Sequence, residues 1–263
     1  MMISASFSSE ALISTTGISI FPKGFTVQAY RFAFASPRLL IGSYIVTIVL
    51  TSAGTVTGLF IIAMTGYVLY RPDYFLRNKI AFFFYFTTLF TAGLAPTYLW
   101  MTKYLHLQNN YLAVFLPLLM SPWLIILMRS FMKSIPFEIT ESGKIDGAND
   151  FRIFVSLVFP MIKPALATVG LFLALSYWNE WYNSMLYLDS LDYKSLQYFL
   201  YKMVNEANAL RDSMAGANIV LANLPTTTLK MATAVLTTGP IILLYPFIQK
   251  YFISGIVVGS VKG

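Results

Sequence analysis

The chain has 263 residues, of which 57% are hydrophobic and 11% charged, with 18 Lys and Arg against 11 Asp and Glu for a net charge of +7. Soluble domains carry about 25% charged residues, so the deficit excludes an ordinary soluble enzyme or binding module and points to a membrane protein. The lack of cysteine excludes disulfides, thiolate chemistry and cysteine-ligated metals, and the single His106 cannot build a histidine-rich metal site.

Residues 1–37 are polar and turn-rich, with Ser8-Ser9, Thr15-Thr16-Gly17 and Pro22-Lys23-Gly24, and read as an external lead-in without a secretory signal. Five long runs almost free of charge follow: 39–70, 80–102, 104–128, 164–188 (interrupted only by Glu180) and 231–249. A crossing helix needs about 20 apolar residues, and none of the runs alternates as a barrel strand would. The predicted fold is therefore an all-α polytopic membrane bundle of five spanning helices over residues 38–254. At about 1.5 Å per residue, the first run overshoots a bilayer unless it is bent, tilted or protruding. It holds Gly54-Thr55-Val56-Thr57-Gly58, a small-xxx-small pattern for close helix approach within this subunit or against another. Prolines and small residues at 91–96 and at Met120-Ser121-Pro122 predict kinks in the second and third spans.

Basic residues mark alternate connections: Arg71, Arg77 and Lys79, then Arg129, Lys133, Lys144, Arg152 and Lys163, then Lys250 and Lys262. These should face the cytoplasm, which argues against a nucleic-acid partner. Segments 103–110 and 189–229 then lie outside, as does the N-terminus, while the C-terminal tail 255–263 is inside. Lys23, Arg31 and Arg38 count against that orientation, and an outside N-terminus with no signal predicts that a leading helix is missing. Within the outer segment, about 190–228, Leu196, Phe199, Leu200, Met203, Ala207 and Leu210 share one helical face. That face can lie on the membrane, cover the bundle or meet an external partner.

The stretch 134–160 is charged and glycine-broken, between two apolar runs. Ser134-Ile135-Pro136 predicts a helix start, Asp146-Gly147 its end, and Asn149-Asp150 the cap of a second helix bearing Phe151, Phe154, Val155 and Val158 on one face. The expected product is a cytoplasmic helix–turn–helix that presents Glu141, Lys144 and Asp146. In the fourth run, Glu180 is the one intramembrane charge, flanked by Trp178, Asn179, Trp181 and Tyr182. Such a carboxylate lines a cavity or finds a structural partner. The aromatic residues around it suit either the flat faces of a sugar or an interfacial belt.

Glu141-Ser142-Gly143, Gly147 and Leu157-Val158-Phe159-Pro160, at the matching distances, resemble the EAA loop of binding-protein-dependent ABC importer permeases. Phe21-Pro22-Lys23-Gly24-Phe25-Thr26, Trp178-Asn179-Glu180-Trp181 and the stretch from Tyr245 to Gly263 are similar to the maltose-type carbohydrate branch. Within it they are closest to the subgroup tied to complex oligosaccharides and polysaccharide fragments. The resemblance covers essentially the whole chain, although family members usually carry one more N-terminal helix. It implies a permease of the bacterial cytoplasmic membrane, importing a sugar by alternating access alongside a second homologous permease, a cytoplasmic ABC ATPase dimer and an extracytoplasmic solute-binding protein. It also implies that Glu141, Ser142, Gly143, Asp146, Gly147 and Pro160 serve coupling to the ATPase, with a second contact from the tail at Ser260, Val261 and Lys262. Trp178, Asn179, Glu180, Trp181 and Tyr182 are the substrate-path candidates.

No catalytic, metal or cofactor site is expected in the chain itself. Gly143-Lys144 is followed by Ile145 and lacks the upstream glycine of a phosphate-binding loop, so ATP and magnesium belong to the partner ATPase. A membrane-embedded enzyme would need an acid, base or nucleophile set, and within the runs Glu180 has no Cys or second carboxylate and only His106, near the start of the third run, as a histidine. An ungated channel would not require the charged loop, and a permease for a non-sugar solute is the remaining alternative.

Overall fold

The computed structural model describes residues 1–216 and 225–242, and among the described residues every regular element is helical. In chain order the helices are α1 (Met2–Ser6), α2 (Glu10–Thr16), α3 (Gln28–Ala33), α4 (Pro37–Tyr70), α5 (Arg77–Leu89), α6 (Leu94–Leu99) and α7 (Leu112–Leu119). They continue as α8 (Pro122–Met132), α9 (Glu138–Ile145), α10 (Asp150–Ile153), α11 (Phe159–Met161), α12 (Lys163–Trp178), α13 (Tyr182–Tyr187), α14 (Leu196–Gly216) and α15 (226–242). Single π-helical turns occupy Trp100–Tyr104 and Phe154–Val158. The described residues divide into two compact units, one of residues 1–48 with 180–216 and 225–242, and one of Val49–Asn179.

In the first unit, residues 1–37 carry α1–α3. The Glu10 carboxylate accepts from the N–H groups of Thr227 and Thr228, each at 2.8 Å, and so caps the start of α15. Burial pushes this carboxyl upward, but the hydrogen bonds from Thr228 and Thr227 outweigh it and hold it below its usual range. The amphipathic face found in the sequence covers its own unit. Leu196, Leu200 and Ala207 of α14 are buried, and Ala207 meets Ala33 and Leu229, with Phe32 and Leu236 packed alongside. Leu210 falls off that face and is exposed. Thr47 of α4 accepts from the Leu196 N–H at 2.8 Å and fixes where α14 begins.

In the second unit, Ile62, Ile125, Met128, Met132, Ile153, Val158 and Val169 form a solvent-free core. The two glycines of the small-xxx-small pattern pack inside this unit. A Cβ on Gly54 would sit 2.3 Å from the Tyr177 ring, and one on Gly58 2.8 Å from the Leu119 carbonyl oxygen. Close approach within the subunit is thus the reading the structure favours.

Among the described residues, two helices are long and apolar enough to cross a membrane, Pro37–Tyr70 and Leu112–Met132. Two bent pairs pass the same test together: Arg77–Leu89 with Leu94–Tyr104, at 112°, and Asp150–Met161 with Lys163–Tyr187, at 87°. The second run is therefore not a straight rod. It breaks at 90–93, where Gly93 takes φ +84 at the start of α6. The third run loses its beginning: His106 and Asn109 both have positive φ in a loop, and the helix starts at Leu112. Its expected kink is present, with Ser121 capping α8 and Pro122 in the first turn. The fifth run is described only to residue 242. Ile41, Ile45, Ile48, Val49 and Val56 of α4 and Phe82, Phe83 and Phe86 of α5 point outward, an apolar exterior suited to lipid.

Candidate functional site

The charged segment is organised by its two glycines, each for a different reason. The N–H of Ala148 donates to the Gly143 carbonyl and that of Gly147 to the Lys144 carbonyl, both at 3.0 Å, closing α9 in a Schellman end. Gly147 has φ +77 with open space around its missing Cβ, so backbone conformation alone demands glycine there. Gly143 answers to space instead. A Cβ would lie 2.9 Å from Cγ1 of Ile153 and 3.1 Å from Cδ1 of Leu157, so the bare backbone lets α9 lie against the chain that follows. Asn149 opens α10 as expected, its Oδ1 accepting from the Arg152 N–H at 2.8 Å.

Two local expectations shift. Ser134 does not start α9: its hydroxyl donates to the Phe131 carbonyl at 2.7 Å, finishing the preceding turn, and α9 begins at Glu138. The buried face of the second helix is Ile153, Phe154 and Val158, while Phe151 and Val155 are exposed. A π turn spans Phe154–Val158, so from Phe154 onward the winding departs from 3.6 residues per turn.

A network of charges braces the segment. Arg71, the residue after α4, is buried, and its guanidinium pairs with both Asp73 and Asp150. Lys144 of α9 reaches the same Asp73 carboxylate at 2.5 Å. One arginine thus ties the end of α4 to the first residue of α10, and one carboxylate ties it to α9. The hydrogen bonds from Arg71, aided by Lys144, hold the Asp73 carboxyl far below the usual range against the opposing effect of partial burial. A cavity of about 350 Å³ opens beside the network, lined by Tyr67, Val68, Arg71, Tyr74, Asp150 and Phe151 among others.

Exposed on α9 and its end are Glu138, Glu141, Ser142, Lys144, Ile145, Asp146 and Gly147, with Lys144 also held by Asp73. Ile145 is 87% exposed, an apolar side chain at the last position of α9, between Lys144 and Asp146. Pro160 is exposed within α11.

The fourth-run candidates separate. Trp178 is buried at the end of α12, and Asn179 is exposed as its C-cap. Glu180 is only 6% exposed, and both carboxylate oxygens are engaged. Oε1 accepts from the Asn183 N–H at 2.5 Å and Oε2 from the Ser184 hydroxyl at 2.8 Å. Its carboxyl therefore sits at the N-terminus of α13, where it satisfies the otherwise free N–H of Asn183. Trp181 and Tyr182 are partly exposed, and the Trp181 ring lies 5.0 Å from that of Tyr201 on α14.

No family model matched the chain. It is 36% identical over 262 residues to the polygalacturonan/rhamnogalacturonan transport system permease YtcP of Bacillus subtilis, covering 100% of this chain and 91% of that protein. The chain belongs to the sugar permeases of ABC importers. The arabinooligosaccharide transport system permease AraQ of the same organism is 28% identical over 262 residues, covering 97% of this chain and 86% of that one. A bacterial ABC transporter that imports the acidic polysaccharide alginate matches in structure with a TM-score of 0.80 and 33% identity, over 95% of this chain and 88% of that one.

As a permease of this family the protein is an integral membrane transport subunit, and its relatives are transporters rather than enzymes. The tail positions Ser260, Val261 and Lys262 lie outside the described residues. The ion network is what sequence reasoning passes over, because Arg71 reads there only as a charge that orients the membrane. The available signal is Arg71-Pro72-Asp73, a spacing at which a carboxylate turns back onto the guanidinium.

Proposed function

We propose that this permease carries oligosaccharides bearing uronic acids, and that α9 with its following turn is where a separate ATPase drives it. The observation that carries the coupling role is the braced, outward surface of Glu141, Ser142, Ile145 and Asp146. Its backbone is fixed by Gly143, Gly147 and the Arg71 network. Rigidity matters because a docking element transmits movement only if it does not deform first. Five crossings with α9 inside and α14 outside would place this surface in the cytoplasm. A second permease, an ATPase dimer supplying ATP and magnesium chemistry, and an extracytoplasmic solute-binding protein complete the assembly. Ser260, Val261 and Lys262 are proposed as a further ATPase contact, and Trp181 and Tyr182 as part of the sugar path.

The acidic-sugar class is supported by the names of two relatives above 30% identity, one for polygalacturonan, a polymer of an acidic sugar, and one for alginate. The relative named for neutral arabinooligosaccharides is less similar. The coupling role is tested by Glu141→Lys in the reconstituted importer. Uptake should fall at least tenfold while the subunit still inserts and the ATPase still turns over. Normal uptake by this variant would refute the docking role.

A further inference from the structure

We infer that α14 and α15 form a binding groove for an acidic sugar, with Lys230 as the partner of its carboxylate. This rests on the acidic-sugar reading above and assigns it a place and residues. Gln197, Tyr201, Asn205 and Asn208 recur at positions i, i+4, i+8 and i+11 and so share one face of α14. Lys230, Thr233 and Thr237 share one face of α15 in the same way. Between the two faces lies a cavity of about 430 Å³ with Leu200, Val204 and Ala234 also in its lining, within the range of roughly 300–1,000 Å³ typical of small-molecule sites.

The chemistry of the groove fits a saccharide better than a purely apolar occupant. Side-chain amides donate and accept together, which matches sugar hydroxyls that do both. Tyr201 is about half exposed, and its ring meets that of Trp181 at a tilt of 37°, so that it offers an aromatic ledge for the C–H face of a pyranose. Lys230 is exposed at the groove and forms no ion pair among the described residues. A lysine beside neutral donors and an aromatic ledge distinguishes a uronate from a neutral sugar through a charge-assisted hydrogen bond. The outward side of the membrane is not where orientation calls for a cation, so Lys230 has no topological task in the proposed arrangement.

The test uses the purified importer complex in nanodiscs, without its solute-binding protein. Saturation-transfer NMR would compare trigalacturonate with its neutral trimethyl ester. Wild type should bind the acid about tenfold more tightly at low salt. Lys230→Gln should erase that preference, Lys230→Arg should retain it, and Tyr201→Ala should weaken acid and ester alike. If wild type binds neither ligand, or binds both equally, the acidic-sugar reading fails and this assignment with it. If wild type prefers the acid and Lys230→Gln keeps that preference, the assignment alone is overturned. Loss of the second permease from purified Lys230→Gln or Tyr201→Ala complexes would also overturn it, since the groove would then be a subunit contact.

Discussion

Gly143 and Gly147 are four residues apart and fail differently when replaced. Gly147→Val forces a branched side chain into the left-handed region and should destabilise the loop by about 1–2 kcal/mol. Gly147→Asn should cost only a few tenths of a kcal/mol, since asparagine tolerates that conformation. Thermal unfolding of the purified complex measures the ordering, and an equal loss for both variants would contradict it. Asp73 sets a pH limit of its own. Its folded carboxyl titrates below the ordinary 3.8, so its stabilising contribution is complete above that value and is lost only as pH falls further toward the lowered one. Unfolding temperatures should therefore show no pH dependence arising from Asp73 between pH 7 and 5. Asp73→Asn should lower them at neutral pH and remove the corresponding acid-induced loss. At this scale the sequence discloses whatever is local: the Gly147 turn and the Asn149 cap follow from neighbouring residues. The pairing of Arg71 with Asp150 does not, because residues so far apart in sequence meet only through packing.

Among the elements, the instructive ones are those that stop short. The second and fourth apolar runs look continuous in hydropathy, since a break needs only a few residues and alters composition little. The break at Gly93 falls where the small residues and proline at 91–96 predict a kink, and the Asn179–Trp181 interruption shows in the sequence only as the Glu180 that interrupts the fourth run. Glu180 then has an architectural task, which the lone charge in the sequence leaves open between cavity and structural bond. Glu180→Ala removes the acceptor from the Asn183 N–H and the buried Ser184 hydroxyl and should destabilise α13 by about 1–2 kcal/mol. Glu180→Gln preserves one acceptor oxygen and should lose less. Melting curves of the two variants decide this, and a neutral effect of Glu180→Ala would remove the capping role. The apolar face of α14 follows periodicity in part: Leu196, Leu200 and Ala207 are buried, Phe199 and Met203 half-buried, and Leu210 exposed.

For the whole molecule, the sequence signals membrane residence strongly and the path through the membrane less so, because charge bias reports sides and hydropathy reports segments, while neither reports bends. The chain lacks cysteine, which makes the path directly measurable. A single cysteine at Ser142 should react with a membrane-impermeant maleimide only in inverted vesicles, and one at Asp192 only in intact cells. Reaction of the Ser142 probe from outside would reverse the proposed orientation.

The Schellman end, the Asn149 cap and the Arg71 network all lie within this one polypeptide, so the outward strip of α9 has its shape before anything touches it. Little conformational entropy is then left to lose on association. A protein that recognises this strip should bind at a rate set by collision and orientation, and mutations that loosen the braces should slow its arrival without removing any contact.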